Sequence, residues 1–342
     1  MCIRDRHRPL YKYLGHFLKK NDRRKLATKI LISDSFDYSI KNAIFVNSRS
    51  ILFSCDVHPA DPRSSRANTD YLDSILSKLN ACVAPRSSNQ ALSIYVPSDG
   101  LTYFTKEVLP KIDRSFILVS GDSDLPINHS TLGDHLDALL KNPYLVKWFA
   151  QNRDVDAPKI FTLPIGINIH NLWADPLQWG GGFILPALQE LQLKTIAEQS
   201  QPLIDREAKI FCNWHFSIDR ADRKMCLDVI DKTVCYFQPE PAPLADTWML
   251  QSQYQFVLSP HGAGLDCHRT WEALLLGCIP IVKAAKINDL FEGLPVVAVN
   301  HWQEINPTFL ENTAQEIARK TFNLEKLSMR YWKSQIKSLE SK

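Results

Sequence analysis

No stretch of this 342-residue chain reaches the roughly 20 consecutive apolar residues that a membrane-spanning helix needs. No apolar core of a secretory signal stands near its start either. The eight cysteines form no CxxC pair and take no metal-ligand spacing with histidine. That argues against structural zinc and for reduced, mostly buried thiols. A net charge of +3, with Lys and Arg spread along the chain, offers no basic stripe for a nucleic acid. Only Arg4–Lys25 is densely basic, and it reads as a solvated end. Four familiar signatures are missing: the GxxxxGK[ST] phosphate loop, the GxSxG elbow, HExxH and GxGxxG. No internal repeat is visible. The first six residues, MCIRDR, match the translation of a sequencing adapter, so residues 1–6 are expected to be an assembly artefact. The expected location is cytoplasmic, with an upstream anchor left open.

What is present is a chain of ordinary globular composition, 45% hydrophobic and 23% charged, long enough for two domains. Apolar runs rich in Val, Ile and Phe alternate with helix-patterned stretches. Ser50–Cys55, Leu92–Val96, Ser115–Ser120, Leu145–Gln151 and Lys159–Gly166 are predicted strands. Asn68–Ala81, Leu101–Ile112 and Thr131–Asn142 have helical spacing. Ala174–Pro186 collects prolines and three successive glycines, as a hinge does. After a helix over Ala187–Gln199 the alternation restarts, with strands at Ala208–Trp214, Thr233–Gln238, Tyr254–Pro260, Cys278–Lys283 and Leu294–Asn300. Helices over Thr308–Thr321 and Asn323–Ser338 close the chain. The order predicts parallel sheets covered by helices: an α/β protein of two Rossmann-like α/β/α domains facing a cleft. The expected boundaries are 7–200, 201–322 and a closing helix over 323–342.

The most informative stretch is FVLSPHGAGLDCHRTWEALLLGCIPIV, Phe256–Val282. A strand runs into Pro260, His261, Gly262, Ala263 and Gly264. Asp266 is the expected N-cap of the following helix, and Gly277 its stop. At ~100° per residue, Trp271, Leu274 and Leu275 share one side, with Arg269 and Glu272 nearly opposite. An isolated Arg–Glu pair at this spacing is ordinarily a surface ion pair worth a few tenths of a kcal/mol. Here the pair follows the carboxyl end of a predicted parallel strand, where open α/β sheets bind ligands. Glycines would let backbone N–H groups approach closely, the helix start favours anions, and Arg269 could add a charge-assisted contact to phosphate. Glu272, one turn on, could accept both hydroxyls of a ribose. A nucleoside diphosphate fits such a site without a metal.

HGAGLDCHRTWEALLLGCIPIVK followed by VVAVNHWQEI resembles the C-terminal half of exostosin-like glycosyltransferases, a family of the GT-B class. The likeness covers Tyr254–Ile305 well, extends more weakly back to Ala208, and is architectural in the first half. It implies transfer of a sugar from a nucleotide donor, UDP-linked, to a carbohydrate acceptor, with inversion and without a metal. It implies that Glu272 binds the ribose, that Arg269 binds the diphosphate and stabilises its departure, and that Ser259–Gly264, including His261, Gly262 and Gly264, lines the same pocket. No cofactor is implied beyond the donor itself. His268 is equally readable as a site residue or a helix-surface residue.

Other constellations are weighed beside this one. Asn213, His215, Arg220 and Arg223 follow the first strand of the second unit. His215 is the better donor-binding candidate, whereas the two arginines read as a solvated helix start. Asp122 and Asp124, in FILVSGDSDLPINH, resemble the DxD motif of metal-dependent GT-A transferases. They are equally readable as turn residues bonding their own backbone. In a GT-B arrangement, either could be the base that activates an acceptor hydroxyl, with His129 a weaker candidate. Asp56 and His58 sit in a polar loop. Trp148 and Phe149 could stack on a sugar ring or simply pack the core. A GT-A-like transferase, a sugar-nucleotide epimerase and a non-catalytic glycan-binding module remain the alternatives.

Overall fold

The computed structural model describes residues 34–59, 69–82, 91–169, 184–214, 222–240 and 242–338. The MCIRDR start, the basic stretch to Lys25, the glycine hinge at 174–183, and the candidates His215 and Arg220 lie outside them. Two all-parallel sheets form. The first is β1 (Leu92–Pro97), β2 (Phe116–Gly121), β3 (Leu145–Gln151) and β4 (Ile160–Leu163), in the order β1-β2-β3-β4. The second holds β5 (Glu207–Cys212), β6 (Cys235–Phe237), β7 (Tyr254–Ser259), β8 (Ile279–Lys283) and β9 (Val297–Val299), in the order β6-β5-β7-β8-β9. Helices flank both, giving an α/β fold of Rossmann-like character.

The strands are apolar runs rather than alternating ones because both faces are covered. Every residue of β1, β2 and β7 is buried. Successive side chains feed opposite layers. Ile117 and Val119 join a cluster shared by both sheets, which includes Phe211, Val257, Trp248 and Trp271. Phe116 and Leu118 enter a separate cluster of the first sheet. In the second sheet the order reverses: from β5 the chain moves outward to β6, then returns to the far side of β5 as β7. The gap between the carboxyl ends of β5 and β7 is therefore a topological switch point, where open α/β sheets characteristically form a crevice.

Three local expectations change. Ser50–Cys55 is no strand: Ser48–Leu52 is a helix, capped by the Asn47 side chain, which accepts from Ser50 N–H at 2.8 Å. All five residues are buried, and a fully buried run carries no period to separate helix from strand. Leu101–Ile112 is helical but uneven, with a π turn over Phe104–Val108 and a 3-10 turn holding Pro110. Thr131–Asn142 lies in two helices, His129–Leu132 and Asp134–Lys141, split at Gly133 with φ of 52°. The closing helix Met329–Lys337 returns to the first half: Val46 N–H donates to Leu327 O and Met329 N–H to Ile44 O, both at 2.9 Å. The seven described cysteines are free thiols, four of them buried. No helix among the described residues is long and apolar enough to cross a membrane.

Candidate active site

Strand β7 ends at Ser259, the loop Pro260–Cys267 follows, and the site helix spans His268–Leu275. Gly277 stops it as expected. It takes φ of 73°, Gly277 N–H bonds Leu274 O, and Cys278 N–H bonds Ala273 O. That pair of bonds is the Schellman arrangement, which favours glycine at its left-handed position. Asp266 is not the N-cap. Cys267 holds that position and offers no side-chain bond, while its carbonyl takes Thr270 N–H at 3.0 Å. Asp266 is buried instead, accepting from Ile165 N–H, Cys267 N–H and the Trp271 indole at 2.8–3.0 Å.

Arg269 bridges the switch point. Its Nε–H donates to Asn213 O, just past β5, at 2.9 Å, and its Nη1 donates to Ser259 Oγ, the last residue of β7, at 3.3 Å. The guanidinium also lies 5.5 Å from the Trp214 ring centroid, a cation–π distance. Ser259 is in turn bonded to Thr270 Oγ1 at 2.8 Å. Arg269 does not pair with Glu272. Glu272 is buried, with Oε2 accepting from the Trp248 indole at 3.1 Å and Oε1 from Asn168 N–H at 3.2 Å. The two charges on one helix face thus do separate jobs.

The carboxyl ends of the two sheets meet at this loop. Asn152, directly after β3, accepts Leu265 N–H and Asp266 N–H on its Oδ1 at 2.9 and 3.0 Å, while its Nδ2 donates to Ser123 O. Ile165, Gly166 and Asn168, after β4, bond Asp266, His268 and Glu272 respectively. His268 is therefore a brace, donating Nδ1–H to Gly166 O at 2.7 Å. Beside these, Arg153 bonds Thr162 Oγ1 and Asp289 Oδ2 at 2.7 and 2.5 Å.

The loop glycines lie close to protein side chains. Gly262 N–H is taken by Gly264 O. A Cβ on Gly264 would stand 2.8 Å from Asn152 Nδ2, and one on Gly262 2.9 Å from Arg223 Nη2. At Gly264 a side chain would crowd the Asn152 amide, whereas at Gly262 the neighbour is the movable end of the Arg223 side chain. His261 is half-buried; burial lowers its pKa, while Asp222 and Asp154 push it up.

Across the gap, Asp122 and Asn152 follow neighbouring strands β2 and β3. They are the two non-glycine residues with positive φ, 53° and 55°, among the described residues. Backbone in this region is mildly strained and collects at functional sites. Asp122 is buried and accepts from the Tyr95 hydroxyl at 2.9 Å, while its N–H donates to Gln151 Oε1. Asp124 is exposed, so the two carboxylates of the DxD stretch occupy different surroundings. His129 is exposed at a helix start that Asn128 caps. Asp56 braces the edge of β1 through Ser93. Trp148 and Phe149 are core residues, the former bonded to Ser120 Oγ.

Burial pushes the pKa of both Asp266 and Glu272 up to about 7. The native state therefore binds more protons than the unfolded chain between the ordinary carboxylate range and about pH 7. Stability should fall as pH rises through that window and stay lower above it. Denaturant unfolding at pH 5 and pH 8 is expected to show this decline, with Glu272→Gln flattening it by up to about 3 kcal/mol. An equal slope in the variant would contradict the assignment.

The sequence does not single out Asn152 or Trp248, and Arg223 reads there as part of a solvated helix start. Only Asn152 carried a hint, since asparagine tolerates the left-handed region better than most residues. The chain matches no known protein-family model and no curated protein. What the fold and the site define is an α/β protein with two parallel sheets and an arginine that bridges the switch point of the second.

Proposed function

We propose that this protein is a glycosyltransferase of GT-B architecture that moves a sugar from a UDP-linked donor to a carbohydrate acceptor. One observation carries the reading: Arg269 spans the carboxyl ends of β5 and β7, where a diphosphate would also meet an uncapped helix start. The exostosin-like order of glycine loop, arginine and glutamate supports it further. In this account Arg269 holds the diphosphate and stabilises its departure. Glu272 accepts the ribose hydroxyls on the lone pairs that Trp248 and Asn168 leave, since a carboxylate accepts about four hydrogen bonds. Ser259, His261, Gly262 and Gly264 line the pocket; His215, the other expected donor-binding residue, lies outside the described residues. The acceptor oxygen attacks the anomeric carbon as the bond to the diphosphate breaks, and its proton passes to Asp122. Asp124, exposed two residues on, is the alternative base. The sugar is inverted in this single displacement, and no metal takes part.

A thermal-shift screen against nucleotide sugars, with and without EDTA, tests the reading. At about 100 times Kd, a UDP-sugar should add about 2.7 kcal/mol of stability, seen as a rise of several degrees that EDTA leaves unchanged. No response to any nucleotide sugar would refute the proposal. A shift that EDTA abolishes would favour a metal-dependent transferase using Asp122 and Asp124.

A further inference from the structure

Asp122 stands where β2 ends, and side chains from both neighbouring strands hold it. Tyr95, in β1, donates its hydroxyl to Asp122 Oδ2 at 2.9 Å. Gln151, the last residue of β3, accepts Asp122 N–H on its Oε1 at 3.1 Å. Both holding residues are buried. Tyr95 is itself fixed: its N–H donates to Val57 O at 2.8 Å, and its carbonyl takes the Tyr71 hydroxyl at 2.6 Å. Burial first, and then the Asp122 carboxylate, raise the Tyr95 pKa well above its ordinary value. The hydroxyl therefore keeps its proton and acts as the donor.

The hold acts on where the carboxylate sits. Asp122 is kept at φ of 53°, a conformation that persists only where the surroundings impose it. Gly121 leaves the room for both holding side chains: a Cβ there would stand 2.9 Å from Gln151 Oε1 and 3.1 Å from the Tyr95 hydroxyl. No second hydrogen bond to the carboxylate is made among the described residues, so Oδ1 is left over. The next residue ties this turn to the other sheet. Ser123 O accepts from Asn152 Nδ2, and Asn152 Oδ1 takes Leu265 N–H and Asp266 N–H in the loop that leads to Arg269. Asp124 is exposed and has no such hold among the described residues.

We infer that Tyr95 and Gln151 are positioning residues that leave Oδ1 of Asp122 as the proton acceptor, which makes Asp122 rather than Asp124 the base. The inference rests on the proposed transfer reaction and deepens it. Tyr95 occupies Oδ2, Gln151 fixes the backbone, and one carboxylate oxygen remains for the acceptor hydroxyl. A lone pair of the acceptor oxygen forms the bond to the anomeric carbon. The O–H bond breaks, its proton goes to Oδ1 and its electron pair stays on the acceptor oxygen. The bond from the anomeric carbon to the diphosphate breaks with its pair on the leaving oxygen. A base in this role contributes through its placement, and a displacement of about 1 Å can cost about 100-fold.

Turnover of the full chain tests it, measured as UDP release from the UDP-sugar that raises the melting temperature most, with water as the acceptor. Asp122→Asn should lower kcat by about 100-fold or more. Tyr95→Phe should lower kcat by about tenfold or more, with KM for the UDP-sugar within about twofold of wild type. Gly121→Ala should show the same split without changing Asp122, Tyr95 or Gln151, because its methyl displaces both holding groups. It keeps the test decisive should Tyr95→Phe fail to fold. A hydrogen bond that served the fold alone would lower the melting temperature of Tyr95→Phe and leave kcat unchanged, and that result would overturn the inference. So would an Asp122→Asn protein that keeps wild-type turnover while Asp124→Asn loses it. The failures are distinguishable. If wild type turns over a UDP-sugar and both Tyr95→Phe and Gly121→Ala match its kcat, the transferase reading stands and the positioning role falls. If wild type neither binds nor turns over any UDP-sugar, the transferase reading falls and takes the base with it.

Discussion

Replacing Arg269 with alanine should reduce UDP affinity by about 100-fold or more. Truncating one partner of a buried, hydrogen-bonded charge contact typically costs about 2–5 kcal/mol, and about 1.4 kcal/mol is tenfold in affinity. The loss should be larger than for a peripheral cation, because the side chain also positions the crevice. Its bonds to Asn213 O and Ser259 Oγ tie the ends of β5 and β7 together. Lysine should rescue poorly, since it cannot satisfy two acceptors in a planar fork while stacking on Trp214. Titration of UDP into the folded variants checks this. Affinity within threefold of wild type in Arg269→Ala would remove Arg269 from the site.

Asn152→Ala should be the most destabilising substitution at the junction of the sheets, at about 2–4 kcal/mol. One amide side chain accepts two backbone N–H groups, from Leu265 and Asp266, and donates to Ser123 O. Each buried donor left without an acceptor costs about 1–3 kcal/mol, and alanine tolerates positive φ less well than asparagine. Aspartate preserves the acceptor but loses the donor and places a charge near buried Asp266, so it should rescue only in part. Chemical denaturation gives the stability. Ligand binding should fall with it, because the loop that carries Gly262 and Gly264 loses its support. A stability change below about 0.5 kcal/mol, the ordinary range for inconsequential surface changes, would contradict this role.

The second half was the more legible in the sequence. Its strands, the glycine stop at Gly277 and the position of Arg269 followed from local rules: apolar runs, a left-handed C-terminal residue, and a charge near a helix start. What was hidden depends on residues far apart in the chain. Asn152 reaches Leu265 across 113 positions, and no local pattern marks that reach. Glu272 reads as a ribose acceptor opposite Trp271, but no local pattern tells that Asn168 and Trp248 arrive from other elements and enclose it. The switch point depends on strand order, which the succession of strands and helices does not specify. Ser50–Cys55 was misread because burial on all sides erases the period that separates a helix from a strand. The glycines of the loop were noticed for a sound reason, close approach, but what approaches them in the structure is Asn152 and Arg223.

The central claim is that a nucleotide diphosphate sits at the carboxyl ends of β5 and β7. A co-crystal structure with UDP tests it most directly. The account predicts diphosphate density within hydrogen-bond distance of the Arg269 guanidinium, beside Ser259 and Gly262, with the ribose hydroxyls toward Glu272. UDP bound elsewhere, or the same crevice holding UDP with its phosphates turned away from Arg269, would contradict it.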